Sequence, residues 1–208
     1  MTMRIETIAA TVHGRYLVDE GSPDRLLAGF HGYAESAETH LEELRRIPGA
    51  GAWTLAAVQA LHPFYTRTGS VVASWMTSLD RELALADNIN YVRRVIAAFG
   101  PRRMLVFAGF SQGASMAARA AAAIPAAGLI LLGGDIPPDV TEDPAVRLPP
   151  VLLGRGTDDA WYTEEKLKKD LSYLQSRTVV TPCLFGGGHE WTDAFREAAS
   201  AFLREVSR

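Results

Sequence analysis

Arg103-Met104-Leu105-Val106-Phe107-Ala108-Gly109-Phe110-Ser111-Gln112-Gly113, which runs into the alanine-rich residues 114–123, is the stretch that decides the fold. The apolar run reads as a buried strand and the alanines as a helix, so Ser111 falls at a strand-to-helix turn. A turn sharp enough to lift that hydroxyl out of the sheet leaves no room for Cβ atoms two positions either side, which is the steric reason for Gly109 and Gly113. A serine that merely capped a helix would need neither glycine. Ser111 is therefore the candidate nucleophile. The Gly-x-Ser-x-Gly pattern is weak alone; it gains force only if an acid and then a histidine follow it.

Both follow. Pro150-Val151-Leu152-Leu153-Gly154 reads as a short buried strand, and Arg155-Gly156-Thr157-Asp158-Asp159 is the loop at its C-terminal end. Residues 177–185 are strand-like, with Pro182 marking an edge or bulge, and Gly186-Gly187-Gly188 then delivers His189 ahead of a helix over 192–206. The order nucleophile, acid, histidine distinguishes an α/β-hydrolase from the trypsin-like and subtilisin-like proteases. Asp158 and Asp159 compete for the acid, with Asp135 at the end of the preceding strand as a third candidate. Near the N-terminus, Leu26-Leu27-Ala28-Gly29-Phe30 is strand-like and leads into His31-Gly32-Tyr33-Ala34-Glu35, whose glycine lets the backbone fold over the nucleophile. In this fold an oxyanion is met by the N–H of the residue after the nucleophile, here Gln112, and by one from the loop after an early strand, here Tyr33.

Strands alternating with helices predict an α/β class chain with a mostly parallel, doubly wound sheet. Residues 4–12 and 15–18 read as a hairpin turning at His13-Gly14, giving an antiparallel edge at the N-terminus. Leu85, Ile89, Val92, Ile96 and Phe99 form one apolar helical stripe ending at Gly100-Pro101; Leu167, Leu171 and Leu174 form another, and Phe195, Phe202 and Val206 a third. A lid, where such folds carry one, is inserted after the strand read here at 127–132. Only residues 133–148 are available for it, too few for a cap domain, so the site is expected to be open.

The segments His31-Gly32-Tyr33, Gly109-Phe110-Ser111-Gln112-Gly113, Gly156-Thr157-Asp158-Asp159 and Gly188-His189-Glu190 together resemble the phospholipase/carboxylesterase family of small serine hydrolases, which includes the acyl-protein thioesterases. The segment from Leu61-His62-Pro63 to Ser74-Trp75-Met76 is similar to that family's substrate-lining region, so the likeness spans nearly the whole chain. The resemblance implies cleavage of carboxylic esters or thioesters with no cofactor, and it assigns the acid to Asp159. Two departures stand out: Asp159-Ala160-Trp161-Tyr162 replaces the usual acid, small residue and valine, and Ala34 occupies the second glycine of the usual His-Gly-x-Gly loop. Serine at the elbow argues against a dienelactone hydrolase, which carries cysteine there.

With 208 residues, 48% of them hydrophobic, the chain can bury a full core, and one domain over 1–208 is expected. A net charge of -3 with no basic cluster excludes nucleic acid as an expected partner. The first residues lack the apolar core of a signal peptide and no run is long enough to span a membrane; with the lone Cys183, this predicts a cytoplasmic protein. No Cys/His spacing suits a metal. His13, His31, His40 and His62 read as structural beside His189. Tyr65, Trp75, Trp161 and Trp191 adjoin the expected catalytic loops and are candidate walls of an acyl pocket. The competing reading is a non-catalytic module that keeps the fold to bind a ligand or partner.

Overall fold

The computed structural model describes residues 2–101 and 104–208; Met1, Arg102 and Arg103, the last of them the first residue of the predicted elbow strand, lie outside the described residues. Seven strands form the main sheet: β1 (Tyr16–Asp19), β2 (Arg25–Phe30), β3 (Thr54–Val58), β6 (Met104–Phe110), β7 (Gly128–Leu132), β8 (Val151–Gly156) and β9 (Val180–Phe185). Their spatial order is β1-β3-β2-β6-β7-β8-β9, parallel throughout except that β1 runs antiparallel to β3. Strands β4 (His62–Tyr65) and β5 (Val71–Ser74) make a separate antiparallel hairpin where the sequence suggested a strand end and a long loop. Pro182 lies in β9, the outermost strand, where one edge has no ladder to interrupt.

Strand periodicity sorts the core into two layers. Leu26, Ala28 and Phe30 point to one side of β2, against α2 (Arg81–Ala98), α3 (Gln112–Ala123) and α5 (Glu164–Gln175), while Leu27 points to the other, with α1 (Ala37–Arg45) and α6 (Asp193–Val206). With helices on both faces, strands β3, β7 and β8 are buried along their whole length, which is why they read as continuous apolar runs rather than alternating ones. The three predicted stripes are the faces that α2, α5 and α6 turn inward. Between β7 and β8 there is a single helical turn, α4 (Pro138–Thr141), and no cap domain. No helix among the described residues is long and apolar enough to cross a membrane.

The expected N-terminal hairpin is not formed. Residues 4–12 make no strand, with Ile5 and Ile8 exposed, and the antiparallel edge comes from β1 on β3 instead. At the proposed turn Gly14 lies against the Tyr91 ring, too close for a Cβ, and the Arg15 carbonyl accepts both the Tyr91 hydroxyl at 2.6 Å and the Gln59 N–H at 2.9 Å. Those contacts hold the turn residues on α2 and β3.

Candidate active site

Ser111 links β6 to α3 at φ 54° and ψ -121°, a left-handed conformation that costs a non-glycine residue about 1–3 kcal/mol. Its neighbours make the turn possible: a Cβ on Gly109 would overlap the Gly113 carbonyl, and one on Gly113 would overlap the carbonyls of Phe30 and His31. The first turn of α3 therefore rests directly on the end of β2, and the Ser111 N–H is tied to Leu132 O at 2.9 Å.

Asp159 follows β8 and is buried, its carboxylate filled by three donors. Oδ2 accepts the His189 Nδ1–H at 2.8 Å, and Oδ1 accepts the backbone N–H groups of Trp161 (2.8 Å) and Tyr162 (2.9 Å). With Nδ1 committed to Asp159, Nε2 of His189 is the ring nitrogen left to act as a base. Phe110 lies against the imidazole, ring centroids 4.8 Å apart, and Gly133 leaves it room: a Cβ there would come within 3.1 Å of Cε1. Asp158 is exposed and contributes only its N–H, to Gly187 O; Asp135 lines the cleft without a bond to His189. The other histidines are otherwise engaged. His13 and His62 are exposed. His31 accepts the Ala60 N–H on Nε2, so Nδ1 donates to Gly32 O, and burial lowers its pKa. His40 is wholly buried, which brings its pKa down to about 3 and keeps it neutral.

Around the His31–Glu35 turn, three amides are consumed internally: Gly32 N–H by Glu35 Oε2 (2.8 Å), Ala34 N–H by Ala73 O (3.1 Å) and Glu35 N–H by Gly32 O (3.4 Å). Burial raises the pKa of Glu35, the internal partner of Gly32. Among the described residues Tyr33 N–H has no protein acceptor, and Gln112 N–H, in the first turn of α3, is free by the geometry of any helix start. Ala34 sits at φ 58°, the conformation for which the missing second glycine is suited. The Gln112 side chain is spent on support: Oε1 accepts Trp75 N–H at 2.9 Å and Nε2 donates to Met76 O at 3.0 Å.

Ser111 and His189 line one cleft of about 370 Å³, together with Arg81, Gln112, Ser115, Asp135, Trp161 and Lys166. Among the described residues no hydrogen bond joins Ser111 Oγ to His189. Beneath them the buried Arg119 is held bidentate by Asp139, both at 2.7 Å. A larger cavity of about 500 Å³ lies between residues 10–16 and α2, away from Ser111.

The four aromatic candidates divide. Trp161 alone lines this cleft, 76% exposed at its mouth. Trp75 does not form the expected pocket wall: it is fully buried, donates its indole N–H to His31 O at 2.9 Å, and braces the His31–Glu35 turn with no surface to offer a substrate. Tyr65 stands exposed on the β4–β5 hairpin and is not among the residues that line this cleft. Trp191 packs on Phe195 and His40 and faces a second cavity, about 330 Å³, on the far side of His189 with Glu35 and Glu43. Sequence reasoning passed over Gly133, Glu35 and Tyr162; for Gly133 a glycine pair closing the strand before the acid was the available signal. Among the described residues no group of three or more His, Cys, Asp or Glu is placed to hold a metal ion.

A carboxylesterase from Mesorhizobium loti superposes with a TM-score of 0.76, covering 92% of this chain and 94% of that one at 19% identity. A carboxylesterase from Bacillus cereus gives 0.71 at 16% identity over 93% and 94%, and the esterase PE8 gives 0.69 at 23% over 94% and 100%. The chain has the α/β-hydrolase fold. No protein-family model and no curated protein matches the sequence, so the likeness is one of architecture. Within the α/β-hydrolase fold, Ser111, Asp159 and His189 fall after β6, after β8 and after β9, at the carboxyl edge of the sheet, where this architecture gathers its loops.

Proposed function

We propose that this chain is a serine hydrolase that cleaves carboxylic esters or thioesters by acyl transfer, akin to the phospholipase/carboxylesterase family that its motifs resemble. The observation that carries the reading is the hydrogen bond from buried Asp159 to the half-buried His189, opening onto the cleft that also holds the strained Ser111. His189 Nε2 takes the proton from Ser111 Oγ as Oγ attacks the carbonyl, and returns it to the leaving alkoxide or thiolate. Water, deprotonated by the same nitrogen, then releases the acid and the free serine. Serine and histidine contacts that are loose in an empty site tighten on substrate. Tyr33 and Gln112 N–H groups meet the oxyanion, each such donor contributing about 3–4 kcal/mol in the transition state.

The esterases whose structures superpose on this chain support this chemistry. The composition of the cleft supports short to medium acyl groups: Arg81, Asp135, Ser115 and Lys166 are poor company for a long alkyl chain, whose gain of about 0.8 kcal/mol per methylene requires apolar walls. The single cysteine, Cys183, favours a cytoplasmic enzyme. A fluorophosphonate probe is expected to label Ser111, and Ser111→Ala to abolish labelling while lowering kcat by about 10⁶. Labelling that persists in the alanine variant refutes the nucleophile. A folded wild-type protein that neither labels nor turns over any ester or thioester favours the binding module instead.

A further inference from the structure

Asp170, on α5, is 2% exposed and lies outside the machinery described above. Its Oδ2 accepts the Tyr162 hydroxyl at 2.8 Å and the Ile136 N–H at 3.2 Å. These two donors come from different walls of the cleft. Tyr162 belongs to the loop that carries Asp159, and its own N–H is one of the donors on Asp159 Oδ1. Ile136 belongs to the loop after β7, which begins at Gly133 against the imidazole and continues through Asp135 and Pro137 along the cleft.

We infer that Asp170 is a positioning residue for the His189–Asp159 pair, its carboxylate joining the acid loop to the opposite cleft wall through Tyr162 and Ile136. The inference rests on the hydrolase reading for its kinetic consequence, though not for its geometry. Arg155, from β8, shares in the clamp: Nε donates to Tyr162 O at 2.6 Å and Nη2 to Asp159 O at 3.2 Å, so Tyr162 is gripped at its N–H, carbonyl and hydroxyl.

The clamp is sensitive to protons. Burial raises the Asp170 pKa to about 6, helped by the negative charge of Asp135, while the bonds from Tyr162 and Ile136 and the nearby Lys169 pull the other way. Above that pH both bonds are made to a charged acceptor; below it they become neutral bonds, roughly half as strong. Acidification therefore loosens the loop that orients His189.

The test is the acid limb of kcat/KM for wild type, Asp170→Asn and Tyr162→Phe on a short-chain ester. If Asp170 acts through its charge, wild-type kcat/KM should show a step of up to about tenfold as pH falls through the range in which Asp170 takes up its proton. Asp170→Asn should lack that step, with kcat at pH 8 reduced about tenfold and KM changed little, as expected of a misplacement of a fraction of an ångström. Tyr162→Phe keeps the titrating carboxylate but removes a bond to its charged form, so the step should remain and move to higher pH. A second readout needs no turnover: the Nδ1 proton of His189, followed by NMR, should shift with the Asp170 titration in wild type and lose that shift in Asp170→Asn. An unlabelled, inactive wild type would refute the hydrolase reading while the NMR titration still judged Asp170. A labelled, active enzyme whose pH profile and Nδ1 resonance are unchanged by Asp170→Asn overturns this inference alone.

Discussion

Gly133→Ala tests whether the placement of His189 is set by its packing. Gly133 has φ 61°, and a Cβ built there lies 3.1 Å from His189 Cε1, 3.2 Å from Nδ1 and 3.4 Å from Asp159 Oδ2. Comfortable carbon contacts begin at about 3.5 Å, so the imidazole must retreat by roughly 0.3–0.5 Å. A displacement of 1 Å in catalytic geometry costs about 10²-fold, which puts the expected loss of kcat near tenfold. The backbone adds a separate cost: an L-residue in this region is disfavoured by about 1–2 kcal/mol, offset in part by the lower chain entropy of alanine when unfolded. The net of about 1 kcal/mol should lower Tm by roughly 2–4 °C in a chain of this size. Gly49→Ala is the control. Its φ is 84° and nothing lies within 4 Å of its Cβ, so it carries the strain without the clash. Both variants should melt earlier in differential scanning calorimetry, and only Gly133→Ala should lose kcat on p-nitrophenyl acetate. If Gly133→Ala hydrolyses within twofold of wild type while Tm drops in both, the contact does not position His189 and the reasoning is wrong.

Asp159→Asn should cut kcat by about 10⁴ with the fold intact, whereas Asp158→Asn, on the exposed neighbour, should leave it within a few-fold; the larger loss at Asp158 would reverse the assignment. Trp161→Ala opens the mouth of the cleft and should raise kcat/KM for longer acyl chains relative to acetyl, measured on a matched ester series; a wild-type preference that climbs steadily to palmitoyl would contradict the short-chain reading. Ala34→Gly relieves a left-handed alanine in the His31–Glu35 turn and should be neutral or stabilising by up to about 1 kcal/mol without loss of kcat; a marked fall in Tm would show that the φ of 58° is not a strain on the protein.

The elbow was legible in the sequence because everything that makes it is local. A strand, two glycines, a serine and an alanine helix lie within about twenty residues, and the glycines answer to clashes within that same span or against the strand beside it. The helical stripes and the buried parallel strands were legible for a related reason: periodicity records which face is hidden, whatever hides it. The order of serine, acid and histidine followed from the order of the strands. Resemblance to a family, rather than any property of the residues, preferred Asp159 to Asp158.

Tertiary structure decided the rest. Adjacent residues in a loop can face opposite ways, and only the packing of β8 against the 185–189 segment turns Asp159 inward and leaves Asp158 in solvent. Trp75 and Trp161 carry the same side chain beside the same site, yet one braces a loop and the other stands at the cleft mouth, because Phe30 and His31 pack on the first while the second is left in solvent. Residues 4–12 read as one arm of a hairpin and form no strand: Ile5 and Ile8 stand exposed, and β1 takes its antiparallel partner from β3, more than thirty positions away. The sequence by itself determined the local chemistry and the period of burial; which of two neighbours is buried, and against what, depends on contacts between segments far apart in the chain, and no local pattern encodes them.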